Sequence, residues 1–478
     1  MHYPWWYVPY LTAPMLIAVI SVVHVLVSHY AVGGGLFLAV EVGYARREGD
    51  REYLAYLHRH ARFFVLLTVV FGAITGVGIW WTIGLTSPLA TETLIRTFVF
   101  GWATEWVFFV IELTAAFIFL YYWDRLAAKT HVAIGWIYAL AAWISLVLIT
   151  GITAFMLNSG RWAIDPNSQN FWWAFFNPQC LPQTIARTGG ALLLSSLYVY
   201  LHASLTIRNA PMRDMIAGRS ARPAMLGAIL ITAGGMGWYC FLPNSAIATL
   251  ASAAVLNILM ALIFALTIVV FVLLYLGPYR NPGWLSPGFA VSLFLFGIAA
   301  FSTGEFIREA VRKPYIVHNV VLANQILPTE VVRLRTDGYL EGGVWTKAFV
   351  AEHYPQVMIE SDDGLDEVID SEALLKLPYK DHLVLGRLLF LHHCNDCHAE
   401  SVGYSAVGPL LQGRPRDLVL DKIKRLDDNY FMPPWCGTPE EAELLRDYLM
   451  TINLPRPAGA RPWMKRADDN QTPEGAMP

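Results

Sequence analysis

Charge is the scarcest commodity in this sequence. Of 478 residues only 15% are Asp, Glu, Lys or Arg, where a soluble domain carries about a quarter. A chain this poor in charge and 55% hydrophobic cannot cover itself with polar surface, so much of it faces lipid. The formal net charge of −3 excludes a polybasic nucleic-acid binder and leaves no strong steering field. Cysteine is scarce too, and five are too few for a disulfide scaffold. The opening MHYPWWYVPY has no basic n-region and no small-residue cleavage site, so it does not read as a cleaved signal peptide. What the chain does have is apolar length, with a mean hydropathy of +0.43 and 17 Trp, 22 Tyr and 25 Phe.

A helix needs roughly 20 apolar residues to cross a bilayer. Eight such runs lie near 13–41, 63–83, 97–122, 131–156, 189–206, 224–244, 248–275 and 287–309. Helices pair every backbone group internally, as lipid demands. The early aromatics Trp5, Trp6, Tyr7 and Tyr10 suit the headgroup belt. Loop charge sets orientation. Arg46, Arg47, Arg51, Arg59 and Arg62 follow the first run, Arg125 and Lys129 the third, Arg208, Arg213, Arg219 and Arg222 the fifth, and Arg280 the seventh. The other side's loops hold only Arg96, Arg161 and Arg187. The Arg-rich side is therefore cytoplasmic, and eight spans place both termini on the outer side.

After about residue 315 the chain turns polar and Pro-containing. Within that part, Cys394-Asn-Asp-Cys397-His398 is CxxCH, the attachment sequence of one covalent heme c. The two thiols form thioethers and the next His presents its imidazole to iron. A helix over about 380–393 precedes the motif, and Gly408-Pro409-Leu410 follows it. Phe431-Met432-Pro433-Pro434 comes next, then a closing helix from Pro439 to about Asn453 that carries Tyr448. These are the parts of a small class I cytochrome c. Met432 is the candidate distal ligand, and a His/Met pair raises the heme potential. The competing readings are a CxxC metal or redox site, without a second Cys pair to complete it, and a plain core role for Met432. His392 and His393 read as exposed helix-end residues. Heme c is attached on the outer face of bacterial membranes, the side that loop charge independently gives the C-terminus.

Ionisable residues at membrane depth are functional candidates by default. His24 and His29 lie in the first run, and Glu105 and Glu112 lie two turns apart on one face of the third. The eighth ends in Gly304-Glu305-Phe-Ile-Arg308-Glu309-Ala-Val-Arg312-Lys-Pro314. Such groups can ligate heme iron and carry protons. The competing reading is a buried salt-bridge cluster of Glu305 or Glu309 with Arg308 or Arg312. His131 reads as interfacial. Cys180 and Cys240 both fall on the outer side and could pair, while Cys436 reads as buried rather than reactive.

Over residues 11–316 the chain resembles subunit I of the cytochrome bd oxidase family. The resembling stretches are His24-Val-Leu-Val-Ser-His-Tyr-Ala-Val-Gly, Thr75-Gly76, Glu112 followed by Tyr122-Trp123-Asp124-Arg125-Leu126, Met156-Leu-Asn158, Asn177-Pro178 and Glu309-Ala-Val-Arg312-Lys-Pro314. The resemblance implies that His24 is a high-spin heme ligand, that Glu309 ligates a heme of the diheme oxygen site, and that Arg312 lies beside propionates. Glu112 matches the lower of two glutamates of the third helix. The upper one falls on Thr104, so Glu105 is one residue out of register. The family's low-spin heme histidine falls on Ala186, with Arg187 and Thr188 next, and its Met partner has only the off-register Met260. The quinol loop is reduced to a few residues around Pro243-Asn244-Ser245, and the ninth helix is absent.

The expected architecture is an all-α membrane protein with eight transmembrane helices plus a small α-helical cytochrome c domain. Its parts are a membrane domain over 1–316, an extracytoplasmic spacer over 317–379, the cytochrome c domain over 380–455 and an extended tail over 456–478. The spacer carries no readable motif beyond Asp337-Gly338-Tyr339, Gly342-Gly343 and the acidic run Glu360-Ser-Asp362-Asp363-Gly-Leu-Asp366-Glu367. The expected function is electron transfer between heme c and one or two membrane hemes of b or d type, for cytochrome c-linked oxygen reduction, with Glu105 and Glu112 relaying protons. The expected partners are a second membrane subunit and a soluble or subunit cytochrome c donor. The alternative is a non-catalytic conduit that anchors a peripheral dehydrogenase. Location in the bacterial cytoplasmic membrane follows from both readings.

Overall fold

The computed structural model describes residues 6–452, except 362, 363 and 365. Trp5, Asp362, Asp363 and the expected tail over 456–478 lie outside the described residues. The chain divides into two compact units. One holds Ile17–Trp81 and Thr91–Val320, and the other holds the residues up to Leu16, Thr82–Ala90 and those from Val321 onward.

Eight long helices carry the first 310 residues: α1 (Ala13–Glu48), α2 (Arg51–Thr86), α3 (Val99–Tyr121), α4 (Ala128–Phe155), α5 (Cys180–Thr206), α6 (Ala210–Cys240), α7 (Ala254–Leu274) and α8 (Pro287–Ala310). Among the described residues, seven are long and apolar enough to cross a membrane, one fewer than the sequence suggested. The exception is α5, rich in Ser, Gly and Thr. Sixteen of its 27 residues are buried, so it lies among the other helices and needs little lipid-facing apolar surface. At the other extreme α7 exposes Val255, Ile258, Phe264 and Ile268, as a helix bathed in lipid does. The second run begins at Arg51 rather than residue 63, because Asp50 caps it by accepting the Tyr53 N–H at 2.9 Å. A wider π-helical turn over Leu66–Phe71 interrupts it.

Small residues set the closest approaches, as is usual between membrane helices. A Cβ at Gly189 of α5 would lie 2.6 Å from the Gly227 carbonyl oxygen of α6, and one at Gly234 would lie 2.5 Å from the Ala186 nitrogen. The two helices therefore touch backbone to backbone along the stretch where the family's low-spin heme histidine would fall. On α1 the run Gly33-Gly34-Gly35 serves three neighbours at once. A Cβ would strike the Ala191 carbonyl from Gly33, the rings of Tyr30 and Phe64 from Gly34, and the Tyr138 ring from Gly35.

The second unit is built on two crossing helices, α10 (Tyr379–His393) and α12 (Pro439–Ile452), joined by α11 (Arg416–Lys424). At the crossing, a Cβ on Gly386 would strike the Leu444 carbonyl, and Phe390 packs on Tyr448 with ring centroids 5.8 Å apart. Residues 321–378 belong to this unit. They include α9 (Val331–Asp337), a short helix Val344–His353 and the antiparallel pair β1 (Met358–Glu360) and β2 (Glu367–Ile369), in register Met358↔Ile369.

Glu441 ties those residues to α12. It is the third residue of a capping box, the reciprocal pairing of a Thr side chain with a Glu three positions on. Thr438 accepts the Glu441 N–H at 3.2 Å and Glu441 accepts the Thr438 N–H at 3.0 Å. The same carboxylate also accepts the N–H groups of Tyr339 at 2.8 Å and Leu340 at 2.7 Å.

Candidate functional site

In the C-terminal unit the CxxCH residues sit in the turns that end α10. Cys397 N and His398 N both donate to the Cys394 carbonyl, at 3.0 and 2.9 Å, so the motif curls back under the helix. His398 Nδ1 lies 2.7 Å from the Ser405 carbonyl oxygen. A carbonyl only accepts, so Nδ1 carries the proton and Nε2 is left in the unprotonated form that ligates iron. Met432 sits in a turn closed by its own N–H on the Asn429 carbonyl at 3.1 Å. All four residues fit a covalent heme c chemically.

The surroundings correct two expectations. His393 is buried at 8% exposure rather than exposed. Trp435 and Tyr339, from distant sequence, close over it with ring centroids 4.7 and 4.4 Å away. Neither of its ring nitrogens has a hydrogen-bond partner. His392 is half-buried and pairs with the Tyr339 hydroxyl at 3.1 Å. Burial pushes the imidazoles down, His392 to about 4 and His393 to about 3.

The N-terminal aromatics are also not simply headgroup anchors. Tyr7 donates to Glu400 at 3.4 Å, and the Tyr10 carbonyl accepts the Tyr404 N–H at 2.6 Å. The segment thus braces the loop that presents Ser405 to His398. Glu400 also accepts from Tyr448 at 2.6 Å and Arg387 at 3.0 Å.

In the membrane unit, His24 Nδ1 is 3.1 Å from Thr75 Oγ1, whose own proton goes to the Phe71 or Gly72 carbonyl at 2.9 and 3.1 Å. The hydroxyl therefore accepts from His24, and Nε2 is again the bare nitrogen. Gly76 leaves room for the ring, since a Cβ there would lie 3.2 Å from His24 Cε1. His29 donates from Nδ1 to the Val25 carbonyl at 2.9 Å and packs edge-on to Phe301.

Glu105 and Glu112 form two rungs between the antiparallel helices α3 and α4. Ser145 donates to Glu105 at 2.8 Å and Tyr138 donates to Glu112 at 2.9 Å. Both partners, like both acids, are seven positions apart. Thr104 is exposed and bonds its own helix at Phe100, so Glu105 and not Thr104 is the residue turned toward α4.

At the end of α8 the salt-bridge reading describes the contacts. Glu305 pairs with Arg308 at 2.8 Å, and Glu309 pairs with Arg312 in a close buried contact. Arg312 further donates to the Ile316 carbonyl at 3.1 Å and reaches the Met156 sulfur at 3.5 Å. The Glu309 carboxylate, expected as an iron ligand, is thus held by Arg312. Arg187 donates to the Thr150 hydroxyl at 3.4 Å and acts electrostatically on His29 and Glu305, a place its reading as a loop charge beside a lost histidine did not reveal.

Other expectations resolve as follows. His131, in the first turn of α4, is fully buried among its neighbours, donating to the Phe119 carbonyl at 2.9 Å and accepting from Arg46 at 3.1 Å. Cys180 and Cys240 are both free, and Cys436 is buried.

Among known proteins, residues 13–237 match the family model described as cytochrome bd terminal oxidase subunit I. A chain of the bd oxidase from Geobacillus thermodenitrificans is similar in fold, with a TM-score of 0.54 and 17% identity over 65% of this chain and 89% of that one. No curated protein matches the chain.

Proposed function

We infer that the membrane part belongs with bd oxidase subunit I, as a membrane heme-bearing oxidoreductase subunit; the family-model match over residues 13–237 and the similar fold support this. We propose that this chain is an electron-transfer subunit of a bd-like complex in a bacterial cytoplasmic membrane, linking an outer heme c to one or two membrane hemes of b or d type for cytochrome c-linked oxygen reduction. The observation that carries this reading is the CxxCH turn with His398 locked by Ser405 as an Nδ1–H tautomer, on a chain whose membrane part matches an oxidase family. Bound hemes would supply one-electron transfer and, at an open iron, oxygen reduction.

The chain's own residues have definable tasks. Cys394 and Cys397 would anchor the heme c covalently, with His398 and Met432 as axial ligands. His24, with Nδ1 held by Thr75, would ligate a membrane heme. Arg312 would balance negative charge near Glu309, the second membrane ligand by resemblance. Glu105 and Glu112, held by Ser145 and Tyr138, would hold and pass protons at their carboxylates. A second membrane subunit and a cytochrome c donor are the partners this reading requires.

The test is oxygen uptake by the purified complex with a reduced cytochrome c as donor. Uptake well above that of a His24→Ala variant supports the reading, and equal uptake contradicts it. A second reading, a conduit anchoring a peripheral dehydrogenase without a small substrate of its own, is favoured by the pairing of Glu309 with Arg312. It predicts six-coordinate membrane hemes that bind neither CO nor cyanide.

A further inference from the structure

A second group of ionisable side chains lies inside the membrane unit, away from the residues assigned above. His60 of α2 is 0% exposed. Its Nε2 is 3.0 Å from the Tyr30 hydroxyl of α1, and its Nδ1 is 3.1 Å from His202 Nδ1 of α5. His202 is partly exposed, four residues before the end of α5, and also lies 3.4 Å from the Tyr56 hydroxyl. Three helices thus contribute one continuous hydrogen-bonded line, His202–His60–Tyr30.

The partly exposed end of this line, at His202, lies among arginines of the Arg-rich side. Arg59 acts electrostatically on both Tyr56 and His202, and Tyr53 stacks on Tyr56 while donating to Glu41 at 2.8 Å. Glu41 in turn is gripped by Arg219 at 2.6 and 3.0 Å. At its inner end Tyr30 is fully buried, stacked on Tyr198 at 4.2 Å. Its ring and that of Tyr138 both pack on Phe64, with centroids 5.3 and 5.5 Å away. Tyr138 is the hydroxyl that holds Glu112.

Two features argue against a merely space-filling cluster. Apolar side chains would fill the same site without the cost of burying polar groups at membrane depth. Moreover, each ring joins its neighbours through opposite or shared nitrogens, the arrangement in which a histidine takes a proton on one side and gives one up on the other.

We propose that His202, His60 and Tyr30 form a proton-input line from the Arg-rich side toward Glu112. A proton arriving on His202 Nε2 makes an imidazolium, which passes its Nδ1 proton to His60 Nδ1. His60 releases its Nε2 proton to the Tyr30 oxygen, Tyr30 gives its own hydroxyl proton through a bridging water to the Tyr138 oxygen, and Tyr138 passes its proton to the Glu112 carboxylate it holds. Each group gains one proton and loses one, so one proton crosses; both imidazoles end in the opposite tautomer and return to the starting one before the next proton passes. The proposal rests on the reading of the membrane hemes as proton-consuming sites.

The experiment uses the full-length complex in liposomes, with a pH-sensitive dye on the Arg-rich side, and follows proton uptake when the membrane hemes are reduced by dithionite. Wild type takes up protons from that side. Tyr30→Phe, which keeps the packing on Tyr198, and His60→Phe slow the uptake about a hundredfold, the low end of what acid–base groups contribute, while heme reduction stays unchanged. His202→Ala slows it as well, and added imidazole restores it. Unchanged uptake in Tyr30→Phe and His60→Phe, uptake from the opposite side only, or no rescue by imidazole would overturn the line. Oxygen consumption is recorded separately: normal relay-dependent uptake without oxygen reduction refutes the oxidase reading and leaves the line standing.

Discussion

Replacing Glu441 by Ala should free residues 328–354 from the C-terminal unit far more than the loss of a simple helix cap would. The carboxylate is 1% exposed and accepts three backbone N–H groups, from Tyr339, Leu340 and Thr438. Gly338 and Gly437 give it room, since a Cβ on either would strike its oxygens. Losing the cap at Thr438 costs about 1 kcal/mol. Stranding the buried amides of Tyr339 and Leu340 costs about 1–3 kcal/mol each, so Glu441→Ala should lose about 3–7 kcal/mol in all. Thr438→Ala, which removes only the reciprocal half of the box, should lose about 1 kcal/mol. Cleavage by a protease follows the population of the open form when closing is fast. In the full-length protein in detergent, cutting within 328–354 should therefore rise by more than about a hundredfold for Glu441→Ala and about fivefold for Thr438→Ala. Equal acceleration by the two variants would refute the reasoning, because the carboxylate would then be a cap and nothing more.

Three further outcomes follow from the same geometry. Gly386→Val should cost about 1–3 kcal/mol or more by overpacking the helix crossing, lowering the yield of covalently attached heme measured by heme stain after denaturing electrophoresis. The Cys436 thiol, pushed up to about 12 by burial, stays protonated at pH 8 and should react with a maleimide only after unfolding; rapid labelling of the native protein would contradict its burial. His392 and His393 are depressed in the folded unit, to about 4 and 3, from an ordinary value of 6.5. Their stabilising contribution is therefore full above pH 6.5 and lost as pH falls from there through 4 to 3. Acid unfolding followed by protease sensitivity should shift to lower pH in His393→Phe.

Long apolar runs and the CxxCH motif were legible because each is a local signal, set by membrane thickness or by the reach of two thiols and an imidazole. The helices around them, α10 and α12, were legible for the same reason. Contacts made by residues far apart were not. His393 read as exposed because the rings that cover it, Tyr339 and Trp435, lie elsewhere in the sequence, and the burial of His131 under Phe119 and Trp123 was hidden for the same reason. The role of residues 321–378 was invisible because Glu441 holds them through backbone N–H groups, which leave no mark on side-chain identity. A Thr-x-x-Glu box at Thr438–Glu441 was nevertheless there to be read. The pair His60 and His202 is not legible because His60 lies before the apolar run that begins near residue 63, and the two residues, 142 positions apart, meet only through the packing of α2 on α5. The weak apolarity of α5 had the opposite meaning from the one a hydropathy scan assigns, since its Ser and Gly residues face other helices.

The proposed function requires one covalent heme on the C-terminal unit and further, dissociable hemes in the membrane unit. Acid–acetone extraction of the purified chain, followed by a pyridine hemochrome spectrum of both fractions, tests it most directly. One heme c per chain should remain with the protein and vanish in a Cys394→Ala, Cys397→Ala double variant, while one or two b or d hemes appear in the extract. A protein fraction without heme, or an extract without any, would contradict the account.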